Sequence, residues 1–368
     1  MKLAGLLLFA GMMTATAQEN YNLVIGTYTN SCQSNGIYVY DFNATTADVK
    51  LKASSSNVLS PSFLTVSPDK KFIYSVNENG KDSEVSSFKF NAVTGKIEAI
   101  NRKDSKGDDP CYIINDSKNV IVANYSGGSI AVFGKNANGG LTDAKQVIKH
   151  SGKSVDPQRQ EAAHVHMVYF SPDKKHIFCN DLGEDKTYIY SYNPDGGSKT
   201  LVLKSIIDAK PGSGPRHLAF HPNGIFFYVL NELDASLVAY SYINEKVEKI
   251  QELSTVASDF TGKNGGADIH FSRDGKYLYT TNRGDANTIS AFRVHANGMV
   301  NIVQQLLTDG DSPRNFAIDP KDNYVLIGHQ KSNNVTIFKR NKTTGMLEDT
   351  CKRIDLCAPV CLVFTDAK

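Results

Sequence analysis

Nine side chains able to bind an anion or move a proton stand at matching places along this chain: His164, His166, Arg216, His217, Glu232, Asp268, Arg283, Arg314 and His329. Each lies at the start of one apolar strand or at the end of the strand that follows it. In an antiparallel hairpin, residues equidistant from the turn face one another, so turn positions predict which side chains meet at the open end. A turn centred near Asn223 and Gly224 places Arg216 beside Asn231 and Glu232. The same arithmetic sets His166 opposite Asp181, Ala267 and Asp268 near Asn282 and Arg283, and Arg314 opposite His329. Guanidinium groups beside a carboxylate and an imidazole suit an anionic substrate and general acid/base chemistry.

The hairpins themselves are copies of one unit. The stretch from Pro61 to Asn77 and the stretch from Pro215 to Asn231 share a strand, a Pro-containing turn and a second strand rich in aromatic and β-branched residues. Further copies run from Val165 to Asp181, Gly266 to Asn282 and Pro313 to His329, with a degenerate one from Pro110 to Asn124. A repeat of about fifty residues means that each unit buries its apolar faces only against its neighbours. A second hairpin follows most copies, with turns at Asn91 to Gly95, Asn136 to Gly140, His295 to Gly298 and Asn341 to Gly345. Four antiparallel strands per unit make a propeller blade.

The seventh blade is split between the chain ends. Pro359 to Phe364 reads as its first strand and Leu23 to Tyr28 as its second. Pairing them closes the ring and removes exposed sheet edges. The expectation is therefore an all-β, seven-bladed propeller, one domain over residues 18–368, with its polar residues converging on one end of the central channel. The absence of Trp excludes the common blade signature that ends in Trp-Asp.

Residues 1–17 read as a signal peptide. Lys2 precedes the apolar run Leu3 to Met13, and Ala15 and Ala17 occupy the small-residue positions before a cleavage near Gln18. The run is too short to span a bilayer, so the expected protein is exported, periplasmic or extracellular, with no membrane integration after cleavage. Lys and Arg number 40 against 38 Asp and Glu, a net charge of +2, which gives no bulk field for nucleic acid. The expected partner is a small anionic molecule bound by a monomer. Among the six cysteines, Cys351 and Cys357 are the closest candidate pair, and Cys111, Cys179 and Cys361 read as small buried hydrophobes.

Structural readings stand beside the functional ones. Asn77, Asn124 and Asn282 suit caps on the turn into the next strand. His221 and His270 read as structural, His176 and His295 as solvated, and Arg216 with Glu232 could be a structural ion pair. No Gly-x-Ser-x-Gly elbow and no phosphate-binding Gly-rich loop is present. The pair His164 and His166 lacks a visible third ligand for zinc, so neither metal nor cofactor is expected. What remains is opening or closing of a ring ester in an anionic substrate.

Several segments carry a resemblance: Ser154 to His166; Gly214-Pro215-Arg216-His217 with Asn231-Glu232; Asn282-Arg283-Gly284; and Pro313 to Ala317. Over nearly the whole chain beyond residue 17, the sequence resembles the seven-bladed propeller lactonases, which include 6-phosphogluconolactonases and carboxymuconate-lactonizing enzymes. The resemblance implies a catalytic set of His166 (or His164), Arg216, Glu232 and Arg283, and the hairpin positions add His164, His217, Asp268, Arg314 and His329 as candidates for substrate binding. It implies metal-independent hydrolysis of a sugar lactone, 6-phosphogluconolactone to 6-phosphogluconate first among them, in carbohydrate metabolism. The alternatives are a cycloisomerase that forms a lactone from an unsaturated dicarboxylate and a non-catalytic ligand-binding propeller.

Overall fold

The computed structural model describes residues 19–368; the signal-peptide assignment of residues 1–17 lies outside the described residues. Seven four-stranded antiparallel sheets follow one another along the chain. We number the blades from the split one. Blade one is built from Pro359–Asp366, Asn20–Thr27, Ile37–Asn43 and Val49–Ser54, in that spatial order. The innermost strands of blades two to seven begin at Leu64, Pro110, Val165, Pro215, Asn264 and Pro313. Among the described residues the only helical pieces are two three-residue 3-10 turns, Gly80–Asp82 and Gly197–Lys199.

Burial changes from the centre of each blade outward. In blade five, the strands Pro215–Phe220 and Phe226–Asn231 are buried on both faces over nearly their whole length, because a neighbouring blade packs on each side. The outermost strand, Lys246–Ser254, alternates between exposed and half-buried positions. Strands buried on both faces read as near-continuous apolar runs and half-exposed ones as alternation, which is why the sequence announces the inner hairpin so clearly. The contacts between blades are aromatic: Phe178 of blade four meets Phe220 and Phe227 of blade five edge-on, at 5.0 and 5.1 Å between ring centres.

Toward the outside, four blade junctions share a polar clasp. A side-chain amide on one outer strand donates to and accepts from the backbone of a single residue on the next. Asn101 grips Leu141 at 2.8 and 2.9 Å, and Gln146 grips Leu201 at 2.8 Å in both directions. Gln251 grips Val300 at 3.0 and 2.7 Å, and Gln304 grips Leu347 at 3.0 and 2.7 Å.

The ring closes as the sequence predicts. Asn20–Thr27 pairs with Pro359–Asp366, from Tyr21 opposite Asp366 to Thr27 opposite Pro359. A disulfide adds to this seam, and it corrects the expected pairing: Cys357 is bonded to Cys32, not to Cys351. Cys351 sits exposed in the outer strand Leu347–Asp355, while Cys357 lies in the loop that returns to the innermost strand. The breadth of a blade separates the two sequence neighbours, and ring closure brings the distant Cys32 alongside. Cys111, Cys179 and Cys361 are buried thiols, as expected.

Candidate active site

The innermost strands do not follow simple hairpin arithmetic, and the departure shapes the site. Pro215 faces Asn231, but the next pair is His217 with Leu230, so Arg216 is an extra residue with no partner. The same one-residue bulge frees Cys111 in blade three, His166 in blade four and Arg314 in blade seven. Val360 is freed in blade one, and in blade six Ala267 and Asp268 together face Thr281. A bulge re-aims the side chain it releases. The register correspondingly corrects the expected pairs: Val165, not His166, faces Asp181; Pro313, not Arg314, faces His329; and Gly265 and Gly266, not Ala267 and Asp268, face Arg283 and Asn282. Glycine is required near the freed arginines. Gly214 has a φ of +65°, and a Cβ on Gly266 would lie 2.2 Å from the Asn231 carbonyl oxygen.

Three guanidinium groups converge on one carboxylate. Glu232 Oε2 accepts from Arg216 Nε at 2.9 Å and is 2.8 Å from Arg283 Nη2, while Glu232 Oε1 accepts from Arg159 Nη2 at 2.6 Å. Arg216 is 1% exposed and Glu232 6%. Burial by itself would raise the Glu232 carboxyl, but the fields of Arg283, Arg216 and Arg159 outweigh it and hold the group far below its ordinary 4.5. Arg216 is pushed down, first by burial and then by the like charges of Arg283 and Arg314. The cluster carries an excess of buried positive charge, which an anion or a developing oxyanion would relieve.

His166 stands beside this cluster, with ring centres 5.2 Å from His217 and 5.5 Å from Tyr125. Burial first, and the Arg216 charge second, hold its pKa well below 6.5, so the ring is neutral at pH 7. His164 stacks on Tyr125 at 4.5 Å and points Nε2 at Glu161, 3.1 Å away. Arg314 lies over the Tyr28 ring at 5.6 Å. The Tyr28 hydroxyl donates to Glu78 at 2.8 Å, and Ser62 donates to the same Glu78 oxygen at 2.5 Å. Tyr28 and Glu78 also line an open cavity of about 470 Å³ with Gln330, Lys331 and Asn333.

Three of the expected substrate-binding residues are placed differently. His217 and Asp268 are 2% and 3% exposed and lie bonded to one another beneath the arginine layer. His329 is buried away from the arginines, with Nδ1 3.3 Å from the Asn334 carbonyl oxygen and its ring against Gly310. His176, expected to be solvated, is buried between Lys204 and Tyr242. His270, taken as structural, bonds to Asp268 at 2.9 Å. Asn77, Asn124 and Asn282, expected to cap the turn into the next strand, each donate to a backbone carbonyl of the segment that leads into their blade.

Sequence reasoning missed Arg159, Tyr28, Glu78, Tyr125 and Ser62. Four of these had a signal. Tyr28, Glu78 and Tyr125 follow Thr27, Asn77 and Asn124 just as Glu232 follows Asn231, and Ser62 follows Pro61 as Arg216 follows Pro215. Arg159 lies within the Ser154 to His166 segment but at no repeated blade position, and it reaches Glu232 only through the fold. For metal binding, His150, Asp181 and Glu184 form a buried group of suitable types among the described residues. Both ring nitrogens of His150 are already engaged, at 2.7 Å, by Asp181 and the Tyr190 hydroxyl.

Comparison with known proteins bears on the family and the fold. The family model described as lactonase, 7-bladed beta-propeller, matches residues 22–364. The chain is 33% identical over 333 residues to the 6-phosphogluconolactonase of Formosa agariphila, covering 89% of this chain and 94% of that protein. The Bacillus subtilis 6-phosphogluconolactonase is 31% identical over 348 residues, covering 92% and 97%. Among solved structures, the Pseudomonas aeruginosa periplasmic gluconolactonase superposes with a TM-score of 0.90 at 33% identity, over 95% of this chain and 100% of that one. Among the described residues no helix is long and apolar enough to cross a membrane.

Proposed function

The chain belongs to the seven-bladed β-propeller lactonase family, and from that premise we propose that it hydrolyses a sugar lactone at the Glu232 cluster, with 6-phosphogluconolactone and its unphosphorylated counterpart gluconolactone as the first substrates to test. The observation that carries this reading is the convergence of Arg216, Arg283 and Arg159 on one buried carboxylate beside a neutral histidine.

In the proposed reaction the lactone carbonyl oxygen takes up donors from Arg216 and Arg283. Water attacks the carbonyl carbon and gives its proton to His166 or Glu232, and the carbonyl oxygen becomes an oxyanion held by the two guanidinium groups. Collapse of the tetrahedral species breaks the bond to the ring oxygen, which receives the proton back. The product acid then ionises. In the free site Glu232 is a weak base, because three cations stabilise its charged form; each substrate oxygen that draws an arginine away returns basicity to it. His166 needs no such release, since it is held in its base form at neutral pH. In this proposal Arg314, Tyr28 and Glu78 receive the rest of the sugar, a role supported by the cavity that Tyr28 and Glu78 line and by the Arg314 guanidinium over the Tyr28 ring.

The protein acts, in this reading, as an exported monomer cleaved near residue 17. The Cys32–Cys357 disulfide suits an oxidising compartment, and the P. aeruginosa neighbour is described as periplasmic. Mass spectrometry of the protein recovered from the periplasm would find an N-terminus near Gln18; an intact Met1 would refute export. For the activity, freshly generated 6-phosphogluconolactone and gluconolactone are supplied separately to the chain from Gln18 onward, and acid release is corrected for spontaneous opening. Turnover that survives a chelator supports the reading, and no turnover of either lactone by the folded protein contradicts it.

A further inference from the structure

Beneath the arginine layer, four blades contribute to one hydrogen-bonded chain that neither catalysis by the Glu232 cluster nor ordinary strand pairing explains. Asp268, on blade six, sits at its centre. Its Oδ1 is 2.8 Å from Nδ1 of His217 on blade five. Its Oδ2 is contacted by three groups: His270 Nε2 at 2.9 Å, Asn315 Nδ2 at 2.6 Å and the Phe316 backbone N–H at 3.1 Å. Asn315, on blade seven, in turn accepts from the Leu362 N–H of blade one at 2.6 Å. At the other end, His217 Nε2 is 3.3 Å from Nη1 of Arg216.

The proton positions follow from these partners. Asp268 is ionised, because although burial opposes it, the contacts from His270 and His217 hold its carboxyl far below 3.8. A carboxylate oxygen only accepts, so the 2.8 Å contact requires the proton on His217 Nδ1. Arg216 only donates, so a second proton on Nε2 would set donor against donor. Burial and the Arg216 charge accordingly push His217 down to about 4, leaving a neutral ring with a lone pair on Nε2. Arg216 is then fixed at three of its nitrogen-borne positions: Nε on Glu232, and Nη1 on both His217 and the Ala267 carbonyl. Nη2 is the guanidinium nitrogen left without a protein partner among the described residues.

We propose that Asp268 and His217 are positioning residues for Arg216: the aspartate holds the imidazole in the Nδ1–H tautomer, and the lone pair on Nε2 anchors one face of the guanidinium so that Nη2 is presented to the lactone carbonyl oxygen. The proposal rests on the lactonase reading for its substrate but not for its tautomer. It makes Asp268→Asn a sharp variant, because shape is kept and the proton is moved. The three donors around Oδ2 compel the new amide to place its oxygen there and its NH2 toward His217. His217 Nδ1 must then accept, its proton shifts to Nε2, and the anchor on Arg216 becomes a clash of donors, as in catalytic dyads where an amide replaces the orienting carboxylate.

The test combines nitrogen-15 NMR of the histidine rings with kinetics on the whole chain from Gln18. In the wild type, His217 is expected in the Nδ1–H form, and in Asp268→Asn in the Nε2–H form; an Nε2–H tautomer in the wild type overturns the proposal whether or not lactones are turned over. In kinetics, Asp268→Asn is expected to lower kcat roughly 100-fold, the scale of a misplaced catalytic group, and to cost nothing further in an Arg216→Ala background. An equal further loss in that background would mean a merely structural role. Should Asp268→Asn fail to fold, His217→Gln, whose amide oxygen can reach Arg216, is compared with His217→Leu. Retention of at least about tenfold more activity by the glutamine variant, the worth of one hydrogen bond to a charged group, supports the proposal, and equal rates contradict it.

Discussion

Two sets of polar residues recur around this ring, and they obey opposite rules. At the outer clasp, the same chemistry is repeated from blade to blade: Asn101, Gln146, Gln251 and Gln304 each grip one backbone residue of the next blade in both directions. At the inner bulge, the backbone is repeated and the chemistry is not. Equivalent places hold Val360, Ser62, Cys111, His166, Arg216, Ala267 and Arg314. A residue that serves the stacking of blades does the same task at each of these four junctions and stays a side-chain amide. A residue that serves a single ligand on the ring axis meets a different part of it from each blade, and so diverges. The proposed catalytic residues Arg216 and His166 lie where the repeat is broken in side chain but kept in backbone.

Breaking the inner set has the largest expected effect. Arg216→Ala and Glu232→Gln are expected to lower kcat/KM for the lactone by about 10²- to 10⁴-fold, with the cooperative unfolding transition retained. Reduction of Cys32–Cys357 acts on the seam instead, and is expected to remove about 2–5 kcal/mol of stability, read as a fall in the unfolding midpoint on adding a reductant. The outer set comes next. Gln251→Ala removes both hydrogen bonds of a clasp and leaves the Val300 backbone groups unmet, which is expected to cost about 1–3 kcal/mol in urea unfolding with kcat unchanged. Loss of activity without loss of stability in that variant would erase the distinction between the two sets.

The smallest effect on activity is its pH dependence. His166 is held below its ordinary 6.5, so the base form persists on acidification, and the acid limb of kcat/KM is expected below pH 6.5. Stability follows a related sign. His217, down at about 4 in the folded ring, is neutral there while an unfolded histidine protonates near 6.5; the stability this represents is present above 6.5 and is lost as pH falls toward 4. Glu232 and Asp268, both depressed, contribute stability above their ordinary 4.5 and 3.8 that is lost further into acid. His270, raised by Asp268, works in the opposite sense. Unfolding midpoints measured between pH 4 and 7 would follow the first trend.

The same contrast explains what the sequence could and could not disclose. The inner hairpins were legible because both their faces are buried, as in Phe226–Asn231, so their residues are apolar without interruption. Outer strands such as Leu201–Asp208 are largely exposed and carry little pattern, and the clasps on them are single amides with no local signature. Arg216, Glu232 and Arg283 could be placed together because an antiparallel hairpin fixes distance from its turn. The bulge could not, because one extra residue leaves the apolar pattern of the strand intact while shifting what faces what, and His329 was drawn into the site by that shift. Arg159 reaches Glu232 across the junction of blades four and five, and Cys32 reaches Cys357 through closure of the ring, and no local spacing encodes either contact.

The most direct test is one paired measurement: kcat/KM for freshly generated 6-phosphogluconolactone and for gluconolactone with the wild-type chain, Arg216→Ala and Gln251→Ala, each with its unfolding midpoint. The expected result is chelator-resistant turnover by the wild type, its collapse in Arg216→Ala and a lowered midpoint with full turnover in Gln251→Ala. Wild-type turnover by a folded Arg216→Ala variant would contradict it.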